Sequence, residues 1–229
     1  MVLEGAPYGG SKEYPRLPRG RHGLPRELVE EDQRRRLVVA VAEIAHEDGV
    51  LGLFVSEIVR RAHVSRKTFY EFFASREECI GFACAESESY LFDPVRRAAV
   101  GSGPWLERVD AGLGAMLEMV AREPQLAELC LMHSPGLGGS GAQRGGIEAL
   151  VALLREGRAA GLEASGSTAV VEEFVAGAII TAVSARIADD RPETVPGMRR
   201  ELVQLSVGPF VGVEEAERYA GSGRGRLVT

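Results

Sequence analysis

FVSEIVRRAHVSRKTFYEFF, residues 54–73, is the stretch whose reading decides the fold. In its first half Val55, Ile58, Val59 and Ala62 recur at intervals of three and four, which places them on one face of a short helix. His63, Val64 and Ser65 interrupt that helix. A second helix follows to about Phe72, with Val64 and Phe69 turned inward and Ser65, Arg66, Lys67, Thr68 and Tyr70 turned outward. Ser65 suits its N-cap, because a hydroxyl there accepts from a backbone N–H that has no partner within the helix. Two short helices on a tight turn, with basic and hydroxyl side chains above an apolar underside, predict a helix-turn-helix. The early residues of its second helix reach base edges in a major groove, so Arg66 and Lys67 are the candidates for guanine O6 and N7. The hydroxyls of Thr68 and Tyr70 suit phosphate oxygens, and Arg76 at the start of the next helix adds another phosphate contact.

The same spacing extends in both directions. Upstream, from about Arg26, Leu37, Val38, Ala40, Val41, Ile44 and Ala45 line one side of an amphipathic helix, with Arg34, Arg35, Glu43 and Glu47 on the other. Gly49 closes it in the left-handed conformation that glycine tolerates. Downstream, Ala74-Ser75 forms a break, and a new helix carries Glu77 and Glu78 in its first turn, where the helix dipole favours acid. Helical spacing continues near 104–122, 125–133, 143–160, 168–188 and 197–211. Alternating β-branched runs with hairpin turns are missing, so the expectation is an all-α chain.

Composition sets wider bounds. Of 229 residues, 45% are hydrophobic and 26% charged, enough for a sizeable core and against global disorder. The net charge of −6 does not suggest a nucleic-acid binder, but residues 1–80 hold 13 basic and 13 acidic residues. The whole acidic excess therefore lies C-terminal of the helix-turn-helix, and DNA responds to the local patch. Cys79, Cys84 and Cys130 form neither a disulfide framework nor a zinc motif and read as buried thiols. The first 20 residues have no apolar core of a secretory signal, and no run of about 18 apolar residues occurs. The expectation is a cytoplasmic protein without membrane contact, metal, cofactor or catalytic residues. Gly136 to Gly141 spells G-x-G-x-x-G, but a dinucleotide site needs a preceding strand in a βαβ unit, so the segment reads as a loop between helices.

RRRLVVAVAEIAHEDG followed by EIVRRAHVSRKTFYEFFASREEC resembles the N-terminal domain of TetR-type regulators over residues ~30–85. The resemblance implies an α-helical homodimer with a C-terminal effector and dimerisation domain, usually a repressor that leaves DNA when a small molecule binds. By position it assigns base or near-base contacts to Ser65, Arg66, Lys67 and Tyr70, and phosphate contacts to Thr68, Tyr70 and Arg76. Three positions depart from the family pattern. His63 stands where glycine is usual in the turn, Phe54 where a threonine often caps the second helix, and Phe72 where many relatives have histidine.

The expected organisation is a disordered arm over 1–25, the DNA-binding domain over 26–75, a helical effector and dimerisation domain over 76–215, and a disordered tail over 216–229. Arg16, Arg19, Arg21 and Arg26 leave the arm open to two readings, a plain tail or a contact in an adjacent minor groove. Phe92, Trp105, Met116, Met119, Met132 and His133 are candidates to line a largely apolar effector pocket, and equally ordinary core residues. The helices around 170–187 and 198–211 are the candidate dimer surface. A dimer predicts a roughly palindromic duplex operator. The alternative is a helical ligand-binding or adaptor protein whose DNA-binding head is weakened, as the three departures suggest.

Overall fold

The computed structural model describes residues 25–133, 140–159 and 169–221. The arm before Pro25, most of the glycine-rich segment 136–141 and the last eight residues lie outside them. Among the described residues there are ten α-helices and no strand. The chain divides into two compact units, residues 1–87 with 125–142 and residues 88–124 with 143–229.

The first unit, the head, begins with α1 (Arg26–Asp48). Leu37, Val38, Ala40, Val41, Ile44 and Ala45 on α1 are all at most 2% exposed, as the spacing predicts. Gly49 ends the helix at φ 66°. A 3-10 turn, Val50–Gly52, leads to α2 (Val55–Ala62) and then α3 (Arg66–Phe72). Ile58, Ala62 and Phe69 are buried, while Val55 and Val59 are only half-buried. Helix α4 (Arg76–Val100) runs through Pro94 without a break. Ser75 Oγ accepts from the Glu78 N–H at 3.1 Å and Glu78 Oε2 from the Ala74 N–H at 2.6 Å, so side chains satisfy donors at the helix start. Expected as the domain boundary, Ser75/Arg76 lies well before the point where the units part. The first turns of α4 belong to the head because Cys79, Ile80, Ala83 and Cys84 are buried there.

The head also includes α6 (Pro124–Glu128) and the π-helical turn Leu129–His133, with Leu126, Ala127, Leu129 and Cys130 at most 2% exposed. The second unit, the body, is built from the rest of α4, α5 (Trp105–Arg122), α7 (Ser140–Ala159), α8 (Ala169–Ala188), a 3-10 segment Pro192–Met198, α9 (Arg199–Val211) and α10 (Val213–Gly221). Trp105 fixes its interior. The Trp105 ring meets Phe210 edge-on at 5.4 Å, its Nε1–H donates to the Leu153 carbonyl at 2.8 Å, and a side chain at Gly157 would strike it. Arg199 holds Asp110 with two bonds of 2.8 and 2.9 Å, tying α9 to α5.

The C-terminus requires a correction. Residues 216–221, expected as the start of a disordered tail, form the end of α10, with Ala216 buried at 1%. Gly212, at φ 86°, turns the chain so that α10 folds back on α9, and Glu214 and Glu215 occupy its first turn. So short a helix shows too few apolar positions for its period to register in the sequence.

Candidate nucleic-acid interface

The turn between α2 and α3 is built by three backbone devices. His63 adopts the left-handed conformation (φ 53°, ψ 40°) that glycine takes in such turns. Its N–H donates to Arg60 O at 3.3 Å and the Val64 N–H to Val59 O at 3.1 Å, the pair of bonds that closes a Schellman motif. Arg36, reaching from α1, donates to the carbonyls of Ala62 and His63 at 2.9 and 3.2 Å. The last carbonyls of α2 are thus satisfied, and the substitution of His for Gly leaves the geometry intact. Arg61 pairs with Glu47 at 2.7 Å, fastening α2 to α1 a second time. The Glu47 carboxylate beside it raises the Arg61 pKa.

Helix α3 starts as the sequence predicts. Ser65 Oγ accepts from the Thr68 N–H at 2.9 Å and lies 2.8 Å from Thr68 Oγ1. Phe69 is fully buried and packs against Tyr70 at 5.3 Å and Phe73 at 5.7 Å, and Phe73 against Phe82 at 5.4 Å. This aromatic row anchors α3 on the start of α4 and fixes which face looks outward. Ser65, Arg66, Lys67 and Tyr70 are exposed on that face and Thr68 is half-buried. Lys67 is 87% exposed and its Nζ comes no closer than 3.9 Å to Glu71, too loose a pair to compete with a phosphate or a base. Arg76 is half-buried and bonded to Glu77 at 2.8 Å, so it has a carboxylate to leave before it can meet DNA. Phe54 is 59% exposed and gives α2 no side-chain cap.

Beside this face a groove of about 450 Å³ opens between α1 and α3, with Arg26, Glu30, Arg34, Thr68, Glu71 and Phe72 among its walls. The Arg34 guanidinium lies over the Phe72 ring, 4.7 Å from its centroid. That contact was not legible in the sequence, where Arg34 is one of three consecutive arginines and nothing marks its partner 38 residues on.

The six pocket candidates are divided between the units. Phe92, Trp105 and Met116 are buried in the body and Met119 half-buried there. Phe92 lies against α7 so closely that a side chain at Gly146 would overlap its ring. Met132 and His133 belong to the head: Met132 is 40% exposed, and His133 Nε2 lies 3.1 Å from Glu128 Oε1. The other oxygen of Glu128 takes His46 Nδ1 at 2.6 Å, so one carboxylate joins α1 to the π-helical turn. Burial pushes the Cys79 thiol up to about 12, in keeping with its reading as an inert buried thiol. No group of three metal-ligating side chains is found among the described residues, and no helix there is long and apolar enough to cross a membrane.

Residues 37–81 match the family described as bacterial regulatory proteins, tetR family. No curated relative matches. Among solved structures, the fatty acid degradation regulator FadR from Bacillus halodurans is similar with a TM-score of 0.67 at 18% identity, covering 76% of this chain and 97% of that one. FadR from Bacillus subtilis, solved with stearoyl-CoA, gives 0.65 at 17% identity over 76% and 97%. A TetR-like transcriptional regulator from Rhodococcus sp. RHA1 gives 0.59 at 18% identity over 82% and 99%. At such identities the likeness is one of fold. Residues 37–81 thus carry the match to the tetR family of bacterial regulatory proteins, and the helices of the chain have the fold seen in regulators of that type.

Proposed function

We propose that the protein is a dimeric repressor that reads a roughly palindromic operator with α3 and leaves it when a small, largely apolar effector binds the body. The observation that carries the reading is the outward face of α3. Arg66, Lys67 and Tyr70 project from a helix that Phe69 and the Ser65 cap hold in place. Arg66 and Lys67 read bases, Thr68 and Tyr70 hold phosphates, and Arg76 joins them once released from Glu77.

Two recognition helices must meet successive major grooves, which requires a dimer. Val170 and Phe174 on α8, Leu205 on α9 and Val213 on α10 are each at least 65% exposed, an apolar surface that a second copy would cover. The effector domain is assigned to the body, with Phe92, Trp105, Met116 and Met119 as its apolar lining and Met132 and His133 in the head outside that set. Because a similar fold was solved with stearoyl-CoA, long-chain acyl-CoA, whose acyl chain would be the apolar part held by the body, is the first effector class to test. Release requires an effector that prefers the DNA-incompetent state; equal affinity for both states shifts nothing.

Fluorescence anisotropy with the labelled region upstream of the coding sequence tests this reading. Saturable binding that weakens steeply with salt and is reversed by acyl-CoA is expected. The adaptor alternative is favoured by one observation, the exposed and non-capping Phe54, and predicts no preference for any duplex over another.

A further inference from the structure

The three consecutive arginines of α1 do three different things. Arg36 is committed to Asp32 at 2.9 Å and to the carbonyls of Ala62 and His63. Arg35 pairs with Glu31 at 3.2 Å. Arg34 instead lies on the Phe72 ring. The carboxylate oxygen that the structure pairs with it, Glu30 Oε2, is 4.0 Å away, and the other oxygen of Glu30 is held by Arg26 at 2.6 Å. The second carboxylate of the groove, Glu71, faces Lys67 at 3.9 Å. Glu30 is held more closely by Arg26 than by Arg34, Glu71 meets Lys67 only loosely, and the Arg34 side chain remains 45% exposed on the wall it shares with Thr68.

A guanidinium stacked on an aromatic ring uses its face and keeps its edge, with the N–H donors, for other partners. That edge matches the paired oxygens of a phosphodiester. Resting on the reading of α3 as the DNA-reading helix, we propose that Arg34 binds a backbone phosphate of duplex DNA and that Phe72 is its positioning residue. The contact is with the sugar-phosphate backbone and does not depend on base sequence.

The test is equilibrium binding of the full chain to a mixed-sequence duplex of about 30 base pairs across a potassium chloride series. For Arg34→Ala the slope of log affinity against log salt becomes shallower by about one per bound subunit, and affinity falls roughly fivefold to tenfold at about 0.1 M salt, equally on any sequence. Phe72→Leu moves both quantities the same way but less, because the charge survives while its platform is lost. Arg34→Lys keeps the charge without the stacked fork, so it loses affinity with little change of slope and covers the case in which the alanine variant unfolds. An Arg34→Ala protein with the parent's slope and affinity overturns the proposal while leaving the DNA-reading role standing. A parent protein that shows no salt-dependent duplex binding removes both.

Discussion

The head and the body are both helical, yet they dispose of charge in opposite ways. Among the described residues, the head's basic side chains are turned outward or joined to neighbouring helices, and its one buried acid, Asp32 at 9% exposure, is bonded to Arg36. Among its described residues the body buries three carboxylates, Glu88, Glu123 and Glu172, each below a tenth exposed. Glu88 has Arg96 beside it and Glu172 has Arg155 at 3.8 Å, and Glu123 Oε1 is buried with no hydrogen-bond partner among the described residues. Burial accordingly pushes the Glu123 carboxyl from the ordinary 4.5 up to about 7, against the opposing pull of Arg122. Burial raises the Glu43 carboxyl of the head as well, but the carboxyl pushed up to about 7 is in the body, whose stability depends in part on its protonation.

The largest effect should come from breaking the packing on the head's side. Phe69→Ala removes a fully buried ring and should destabilise the head by about 3–5 kcal/mol, with DNA binding lost. Hydrogen exchange read segment by segment checks it: amides of α2 and α3 lose protection, while those of α8 and α9 keep theirs. Equal loss throughout would show that the two units do not unfold separately and would dissolve the comparison.

The next effect belongs to the body. Glu123 has a folded-state pKa above its unfolded value, so its contribution to stability is full below about pH 4.5 and is lost as pH rises to about 7. Glu123→Gln keeps the shape without the ionisation. Denaturant unfolding should then vary less between pH 4.5 and 7, with the variant more stable than the parent at pH 8 by roughly 2–3 kcal/mol. A parent and variant with parallel pH profiles would contradict the assignment.

The smallest effect is at the turn. His63→Gly relieves a left-handed side-chain residue at φ 53° and should stabilise the head by about 0.5–1 kcal/mol, read as a raised thermal midpoint. A lowered midpoint would mean that the imidazole makes contacts worth more than the strain.

The sites differ in how far the sequence made them legible. Phe69, Ser65 and His63 act within one turn of their own position, through helical period, cap chemistry and a left-handed C-terminus, so the pattern around each was enough to place it. Arg34 on Phe72, Glu128 between His46 and His133, and the burial of Glu123 depend on residues far apart in the chain, and periodicity carries nothing about such pairs. Helix α10 escaped for another reason: it is too short for its apolar spacing to stand out from a polar tail. The pocket candidates were chosen by residue type alone, and Met and aromatic side chains fill cores and cavities alike.

Sequence reading by Arg66 and Lys67 of α3 is checked by selecting duplexes from a randomised pool with the purified protein. The expected result is enrichment of an inverted repeat with half-sites in successive major grooves, and loss of that preference in the Arg66→Ala, Lys67→Ala double variant, at about 1–3 kcal/mol for each base contact removed. Recovery of a pool with no enriched sequence, or an enrichment that the double variant reproduces unchanged, would contradict it.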